Sequence, residues 1–426
     1  MTMSRFVVFT NGWFLFSFLA LLIVIPRGYA IIPLMVLGVI LVSLPVMRHV
    51  SSRLDIRDLN FCLALFLYTA IWLLDVWQPG NWWIDNGIAM PLWPALAAMV
   101  LIWLRLFPPS AALWWAGLCT GSLLAGSIAL FEYRVLMHDR VGNGMNSIPF
   151  GNLALLLGCL SLTASFWWLL KGRCARGKVW FALAAAAGGM MASLLSGTRG
   201  GWVAAPVLAL LVWIAWQSMP DHEVRHWRRR NWLAVTLVLL IFVGVIVLGE
   251  PGSRLAAAVD QFQAYWLLDD RGGSVGLRFE MWKAGVVLFS QSPMMGWGDA
   301  GLQSARDALV AQGLLHPGVS QFTQLHSDVI DTAARRGLIG LVSLVAFYGV
   351  PLAMFWRCRK DPDPNVRLVA IAGVMIVTSF MVFGLSQSML RDVRGLSGYL
   401  GLCVGCWAVL RSLEPTSHSP GHMVSG

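Results

Sequence analysis

The sequence predicts an all-α polytopic membrane protein of about twelve transmembrane helices, with a large, partly helical outer loop before the third-last helix. Composition supports this first. The 426 residues are 58% hydrophobic and 12% charged, with a mean hydropathy of +0.69. A soluble domain carries about 25% charged residues, so this chain lacks the charge to cover a water-facing surface. Long apolar runs support it next, since a helical span needs about 20 such residues. The distribution of Lys and Arg supports it last, because the basic residues gather in alternate connections.

Apolar runs predict spans at 7–25, 30–47, 60–77, 87–106, 110–132, 149–170, 178–196, 201–217, 232–249, 338–356, 367–386 and 395–411. The first run has no small-residue cleavage site after it and reads as a retained helix. The connections between 87–106 and 110–132, and between 178–196 and 201–217, are very short. Those pairs are expected to be antiparallel neighbours. With the N-terminus inside, inner connections hold Arg48, Arg53, Arg57, Arg105, Lys171, Arg173, Arg176, Lys178, Arg225, Arg228, Arg229, Arg230, Arg357, Arg359, Lys360 and Arg367. The short outer ones hold only Arg27, Arg134, Arg140, Arg199, Arg391 and Arg394. This bias places both termini in the cytoplasm and the 250–337 loop outside, which is the periplasm for a bacterial inner membrane. The chain then divides into membrane helices at 1–249, the loop at 250–337, membrane helices at 338–411 and a cytoplasmic tail at 412–426, expected to be disordered from Glu414 to Gly426.

The net charge of +10 is accounted for by the inner connections. No basic run interleaved with aromatics lies outside the bilayer, which argues against a nucleic-acid partner. None of the seven cysteines lies in the long loop, so no disulfide framework is expected there. Cys403 and Cys406 form a CxxC inside an apolar run and read as small apolar residues of a helix.

Within the outer loop, apolar residues at Leu255, Val259, Phe262 and Trp266 predict a helix over 253–268. Ser274 is a candidate cap for a second helix reaching about Ser290. Pro293, Gly296 and Gly298 end it in a turn, and a short helix is expected over 301–315. Pro317 and Gly318 break the chain again. A long helix then runs from about Ser327 to Trp356, roughly 45 Å at 1.5 Å per residue, and presents His326 at the membrane surface.

Basic residues of the loop are slightly outnumbered by acidic ones, so an anion site there must be built from specific converging arginines. A guanidinium suits phosphate because it donates two parallel hydrogen bonds. Arg278 shares a helical face with Ser274 and Trp282; it reads as a phosphate ligand or as a side chain reaching lipid headgroups. Arg199, in SGTRGG, lies in a tight outer turn close to hydrocarbon, where a charge needs a partner. His326 is a candidate general base or a structural histidine. Asp328 and Asp331 follow it, neither at the i+4 position, so no local dyad is implied. Arg391 and Asp392, in the last outer loop, either reach the same site or pair with each other. Asp269-Asp270-Arg271 resembles acidic motifs that hold a divalent ion, but adjacent aspartates are common by chance. His316 and His326 lack metal-ligand spacing, and no metal or cofactor is expected.

Three motifs in order carry a resemblance: R-x-x-x-W at Arg278–Trp282, P-x-x-G-x-G at Pro293–Gly298, and His326 followed by G-x-x-G at Gly337–Gly340. Together with SGTRGG and the helix count, they resemble the O-antigen ligase / O-antigen polymerase superfamily. The family often has Asn after the histidine, where this chain has Ser327. The resemblance implies a GT-C-like membrane glycosyltransferase taking a glycan from undecaprenyl diphosphate at the periplasmic face. The chain length without an added soluble domain looks most like the ligase acting on lipid A–core, with polymerases and protein O-oligosaccharyltransferases as alternatives. It implies His326 as base, Arg278 and Arg199 as diphosphate ligands, and Trp282, Arg254, Arg391 and Asp392 as further substrate contacts. A secondary transporter of similar helix count, or a non-catalytic flippase or scaffold, is the alternative of another class. Transporters place ionisable residues at mid-membrane, and here Asp75 is the nearest exception.

Overall fold

The computed structural model describes residues 3–47, 54–76, 89–220 and 250–414. Among them the chain forms α1 (Met3–Leu21), α2 (Gly28–Met47), α3 (Ile56–Val76), α4 (Ala89–Leu106), α5 (Ala111–Arg134), α6 (Ser147–Leu169), α7 (Arg176–Ser196), α8 (Arg199–Gln217), α9 (Glu250–Leu267), α10 (Ser274–Gln291), α11 (Gly298–Ala311), α12 (Asp328–Cys358), α13 (Pro364–Ser386) and α14 (Val393–Leu413). Nine of these described helices, α3–α8 and α12–α14, are long and apolar enough to cross a membrane. The α1 and α2 helices are apolar but shorter by the same measure. Each expected span coincides with a helix except 232–249, which lies outside the described residues, as do residues 415–426 of the expected tail.

The bundle is built around α6. Its residues from Pro149 to Trp168 are buried on every side, as an all-apolar helix requires. It packs against α5, α7, α8 and α13. Small residues set the closest approach: a Cβ on Gly126 of α5 would lie 2.5 Å from the backbone of Gly188 on α7. Cys403 and Cys406 are buried within α14, as their apolar setting predicts.

At one end of the bundle Arg57 grips Glu414 with both terminal nitrogens (3.2 and 3.0 Å), Lys171 Nζ reaches Asn365 (2.9 Å) and Arg367 reaches the Ser218 carbonyl (2.7 Å). At the other end the α5–α6 connection, the α7–α8 turn and the α13–α14 connection meet residues 250–327.

Residues 250–327 form a small helical layer rather than extended chain. Met281, Leu288, Leu302, Leu309, Val319 and Leu325 bury a second core, which also takes in Ala334 of α12. Ser274 is the first residue of α10 and not its cap. Gly273 occupies the cap position, and the Ser274 hydroxyl bonds Gln261 Oε1 of α9 at 2.9 Å, joining two helices instead.

The long helix α12 begins next to the expected place but is not continuous. Gly337 has φ 60° and ψ −152°, a conformation that breaks the helix. The Pro293–Gly298 turn satisfies the break. Leu338 N–H donates to the Pro293 carbonyl (2.7 Å), Ile339 N–H to Met294 (3.3 Å), and Trp297 N–H to Ala334 (3.0 Å). The P-x-x-G-x-G and G-x-x-G motifs are therefore two halves of one joint.

A Cβ on Gly337 would sit 2.4 Å from the Met294 carbonyl group, at a φ that favours glycine. Gly337→Ala is expected to destabilise the protein by at least about 1–3 kcal/mol. Gly349→Ala, on the same helix with nothing within 4 Å of the new Cβ, is expected to be neutral. Thermal unfolding of the two variants in detergent checks both.

Candidate active site

The SGTRGG turn is fixed by short polar side chains. Gly197 ends α7 in the left-handed conformation (φ 65°). The Thr198 hydroxyl donates to the Ser147 carbonyl at 2.9 Å and lies 2.7 Å from the Ser196 hydroxyl. Turned toward α6, it makes no side-chain cap on α8. The first-turn N–H groups of α8 thus find no side-chain acceptor on their cap residue, and a helix N-terminus in that condition favours an anion. Arg199 is the first residue of α8. Its side chain, like that of Arg254 in α9, lies outside the described residues.

A polar cavity of about 230 Å³ opens beside this turn, lined by Arg140, Ile148, Gly197, Gly200, Ser274, Arg278 and Ser386. It joins the α5–α6 connection, the α7–α8 turn, the first turns of α10 and the end of α13. Arg278 and Ser274, one helical turn apart, face it together as their spacing predicts. Arg140 donates through Nε to the Ser196 carbonyl at 3.3 Å, which ties it to the same turn. A smaller apolar crevice lined by α1, α2, α4 and α14 lies elsewhere in the bundle and carries almost no polar surface.

His326 does not line the cavity but stands within the electrostatic reach of Arg278. It is half-buried, in the left-handed conformation (φ 52°), with its ring edge-on to Phe322 at 5.1 Å. Its Nδ1 is buried without a well-formed hydrogen bond to the protein. Burial, and then the positive charge of Arg278, push its pKa down to about 4. The Gln324 backbone and the Asp331 carboxylate pull the other way more weakly. The imidazole is therefore neutral at pH 7, the form that accepts a proton.

The other expected site residues are placed differently. Trp282 packs edge-on to Phe279 at 5.6 Å, with its indole nitrogen buried and unbonded. Arg391 and Asp392 do not pair with each other. Asp392 caps α14, accepting from Arg394 and Gly395 N–H groups (3.0 and 2.9 Å). Arg391 binds Asp299 of α11 through both carboxylate oxygens (2.8 and 3.0 Å). Asp269 pairs with Arg271 (2.8 Å) and Asp270 accepts from Gly272 N–H (3.1 Å), so this acidic pair shapes a turn.

Asp299 belongs to a buried ion network that sequence reasoning missed. Arg335 contacts Asp331 through Nε (2.9 Å), Asp299 through Nη1 (2.6 Å) and the Thr323 carbonyl through Nη2 (2.5 Å). Its neighbour Arg336 pairs with Asp75 of α3 at 2.9 Å and lies over the Trp72 ring at 4.3 Å. Asp75 is thus a structural partner of the outer layer. Arg140 and Ser386 were also missed as cavity residues. The only signal for Arg140 was its place among the few outer arginines.

Fold and site define a multi-pass membrane protein with a cationic cavity at one end of its bundle. Residues 181–345, from α7 into α12, match the family model described as O-antigen ligase. The match contains the SGTRGG turn, Arg278, the Pro293–Gly298 turn, His326 and the Gly337 break. An uncharacterized protein of Haemophilus influenzae is 23% identical over 401 residues, covering 93% of this chain and 97% of that one.

The lowered pKa of His326 makes stability pH-dependent with a definite sign. Below about pH 6.5 the unfolded chain takes up a proton that the folded chain refuses until about pH 4. Stability is expected to fall with pH across that window. His326→Gln is expected to lose this component, seen as a flatter dependence of thermal unfolding on pH between 7 and 4.

Proposed function

We propose that this protein is an O-antigen ligase that transfers O-antigen polysaccharide from undecaprenyl diphosphate to lipid A–core at the periplasmic face of the inner membrane. The observation that carries this reading is the convergence of Arg278, Arg140 and the uncapped N-terminus of α8, headed by Arg199, on one polar cavity, with His326 beside Arg278. In this reading the chain has twelve spans, both termini are cytoplasmic, and 250–337 is a periplasmic segment between membrane parts 1–249 and 338–411.

A diphosphate carries several charged oxygens, and the guanidiniums and helix N–H groups supply a fixed set of donors for them. These donors stabilise the charge that grows on the departing diphosphate, so the reaction proceeds without a metal. The acceptor hydroxyl oxygen attacks the anomeric carbon while the carbon–oxygen bond to the diphosphate breaks. Its electron pair leaves on undecaprenyl diphosphate, and the acceptor proton passes to His326. Attack from the opposite face inverts the anomeric centre. Trp282 and Arg254 lie on the helices that flank the donor, Arg391 and Asp392 belong to its support, and the prenyl chain occupies the lipid-facing side of the bundle.

Purified protein mixed with undecaprenyl-diphosphate O-antigen, lipid A–core and EDTA is expected to form ligated lipopolysaccharide. His326→Ala, Arg278→Ala and Arg199→Ala are expected to remove the product while leaving a folded protein. Longer glycan on the carrier, without transfer to lipid A–core, would instead indicate a polymerase, and transfer to a protein acceptor an oligosaccharyltransferase. Absence of any product would favour transport.

Arg140 gives a finer test. Loss of one charge-assisted hydrogen bond is worth about 1.5–3 kcal/mol. Arg140→Ala is expected to raise the donor KM by about tenfold or more with a smaller change in kcat, measured in the same assay.

A further inference from the structure

His326 sits at the end of a loop whose last residues are held through their backbone from α12. Leu325 N–H, one residue before it, donates to Asp331 Oδ1 at 2.9 Å. Thr323, three residues before it, gives its carbonyl to Arg335 Nη2 at 2.5 Å. Asp331 and Arg335 are themselves joined at 2.9 Å, one helical turn apart, and are 2% and 1% exposed. Arg335 is pinned a third time by Asp299, which Arg391 holds from the α13–α14 connection. This bracket closes around a residue in the left-handed region, which costs a non-glycine residue free energy unless its surroundings impose it.

We propose that Asp331 and Arg335 are positioning residues that hold His326 in its left-handed conformation beside Arg278, with Asp299 and Arg391 as the outer clasp. This inference rests on His326 being the base. The bracket touches backbone atoms at 323 and 325 and none of the residues lining the cavity. Its loss therefore displaces the base while leaving the donor site intact. Of the charged groups facing the imidazole, Arg278 is on α10 and Asp331 on α12. Removing the Asp331 charge takes away a weak upward pull and leaves only the Gln324 backbone to oppose Arg278.

The test compares wild type, Asp331→Asn and Arg335→Lys in the transfer assay and by NMR of histidine-labelled protein in detergent. Asp331→Asn keeps an oxygen for Leu325 N–H and leaves Arg335 paired with Asp299, so a folded protein is expected. Arg335→Lys keeps the charge but cannot reach Asp331, Asp299 and Thr323 at once. Both are expected to lower kcat by tenfold or more with donor KM within about threefold, because the lost interaction matters only as the proton moves. In Asp331→Asn the His326 resonance is expected to titrate below its wild-type pH, and Asp331→Glu is expected to restore part of kcat. Wild-type kcat with an unmoved titration in both variants would overturn the inference. So would a loss seen only in donor KM. Should wild type itself fail to transfer, the reading of the site falls, while the NMR titration still reports whether the bracket holds His326.

Discussion

Two adjacent arginines, Arg335 and Arg336, bind the outer layer to the membrane bundle. They leave α12 just before the Gly337 break and go opposite ways. Arg336 enters the bundle, to Asp75 and the Trp72 ring of α3. Arg335 enters the outer layer, to Asp331, Asp299 and the Thr323 carbonyl. Taking such charges out of water costs several kcal/mol per ion, offset here by pairing and by multiple hydrogen bonds. Removing one partner of a buried pair typically costs about 3–5 kcal/mol, because a charge is left behind. Apolar contacts would hold these elements together as well, but would tolerate sliding. A forked guanidinium fixes direction, and direction is what a site assembled from four separate connections needs.

The same constraint explains the broken helix. A continuous α12 would carry 31 residues through and beyond the membrane with no free backbone groups. The break at Gly337 releases N–H groups that the Pro293–Gly298 turn accepts, and this docks the end of α10 onto α12. Since α10 carries Arg278 and the loop before α12 carries His326, the joint sets the distance between the proposed anion ligand and the proposed base. A glycine in a left-handed conformation is thus tied to chemistry through backbone hydrogen bonds alone.

Much of this was legible in the sequence, and the part that was not has a common cause. Apolar runs marked the helices because burial in lipid demands about 20 apolar residues in succession, a local property. Arg278 and Ser274 were placed on one face by helical spacing. Arg140 was visible only as an outer arginine, because its partners lie more than fifty residues away in the α7–α8 turn. Asp75 stood out as an oddity inside a span, but nothing local pointed to Arg336. Ser274 had the composition of a cap, yet a neighbouring helix offered its hydroxyl a partner. Arg391 and Asp392 were adjacent in sequence, and adjacency suggested a pair. The backbone turn sends one to cap α14 and the other to Asp299. Interactions set by tertiary contact do not leave a periodic mark.

The electrostatics of the site follow from the order in which charges arrive. Burial, and then the charge of Arg278, keep the His326 imidazole neutral and weakly basic. In the proposed reaction a diphosphate bound to Arg278 brings negative charge within reach of His326. It offsets the guanidinium and favours the imidazolium, raising the basicity of His326. The base gains strength only when the donor is in place. Water entering an empty site meets a poor base, whereas an acceptor hydroxyl entering a loaded site meets a better one. In the proposed reaction, one arginine therefore both holds the leaving group and, through that group, sets the proton acceptor, which requires the two to be kept at a fixed separation by the joint at Gly337.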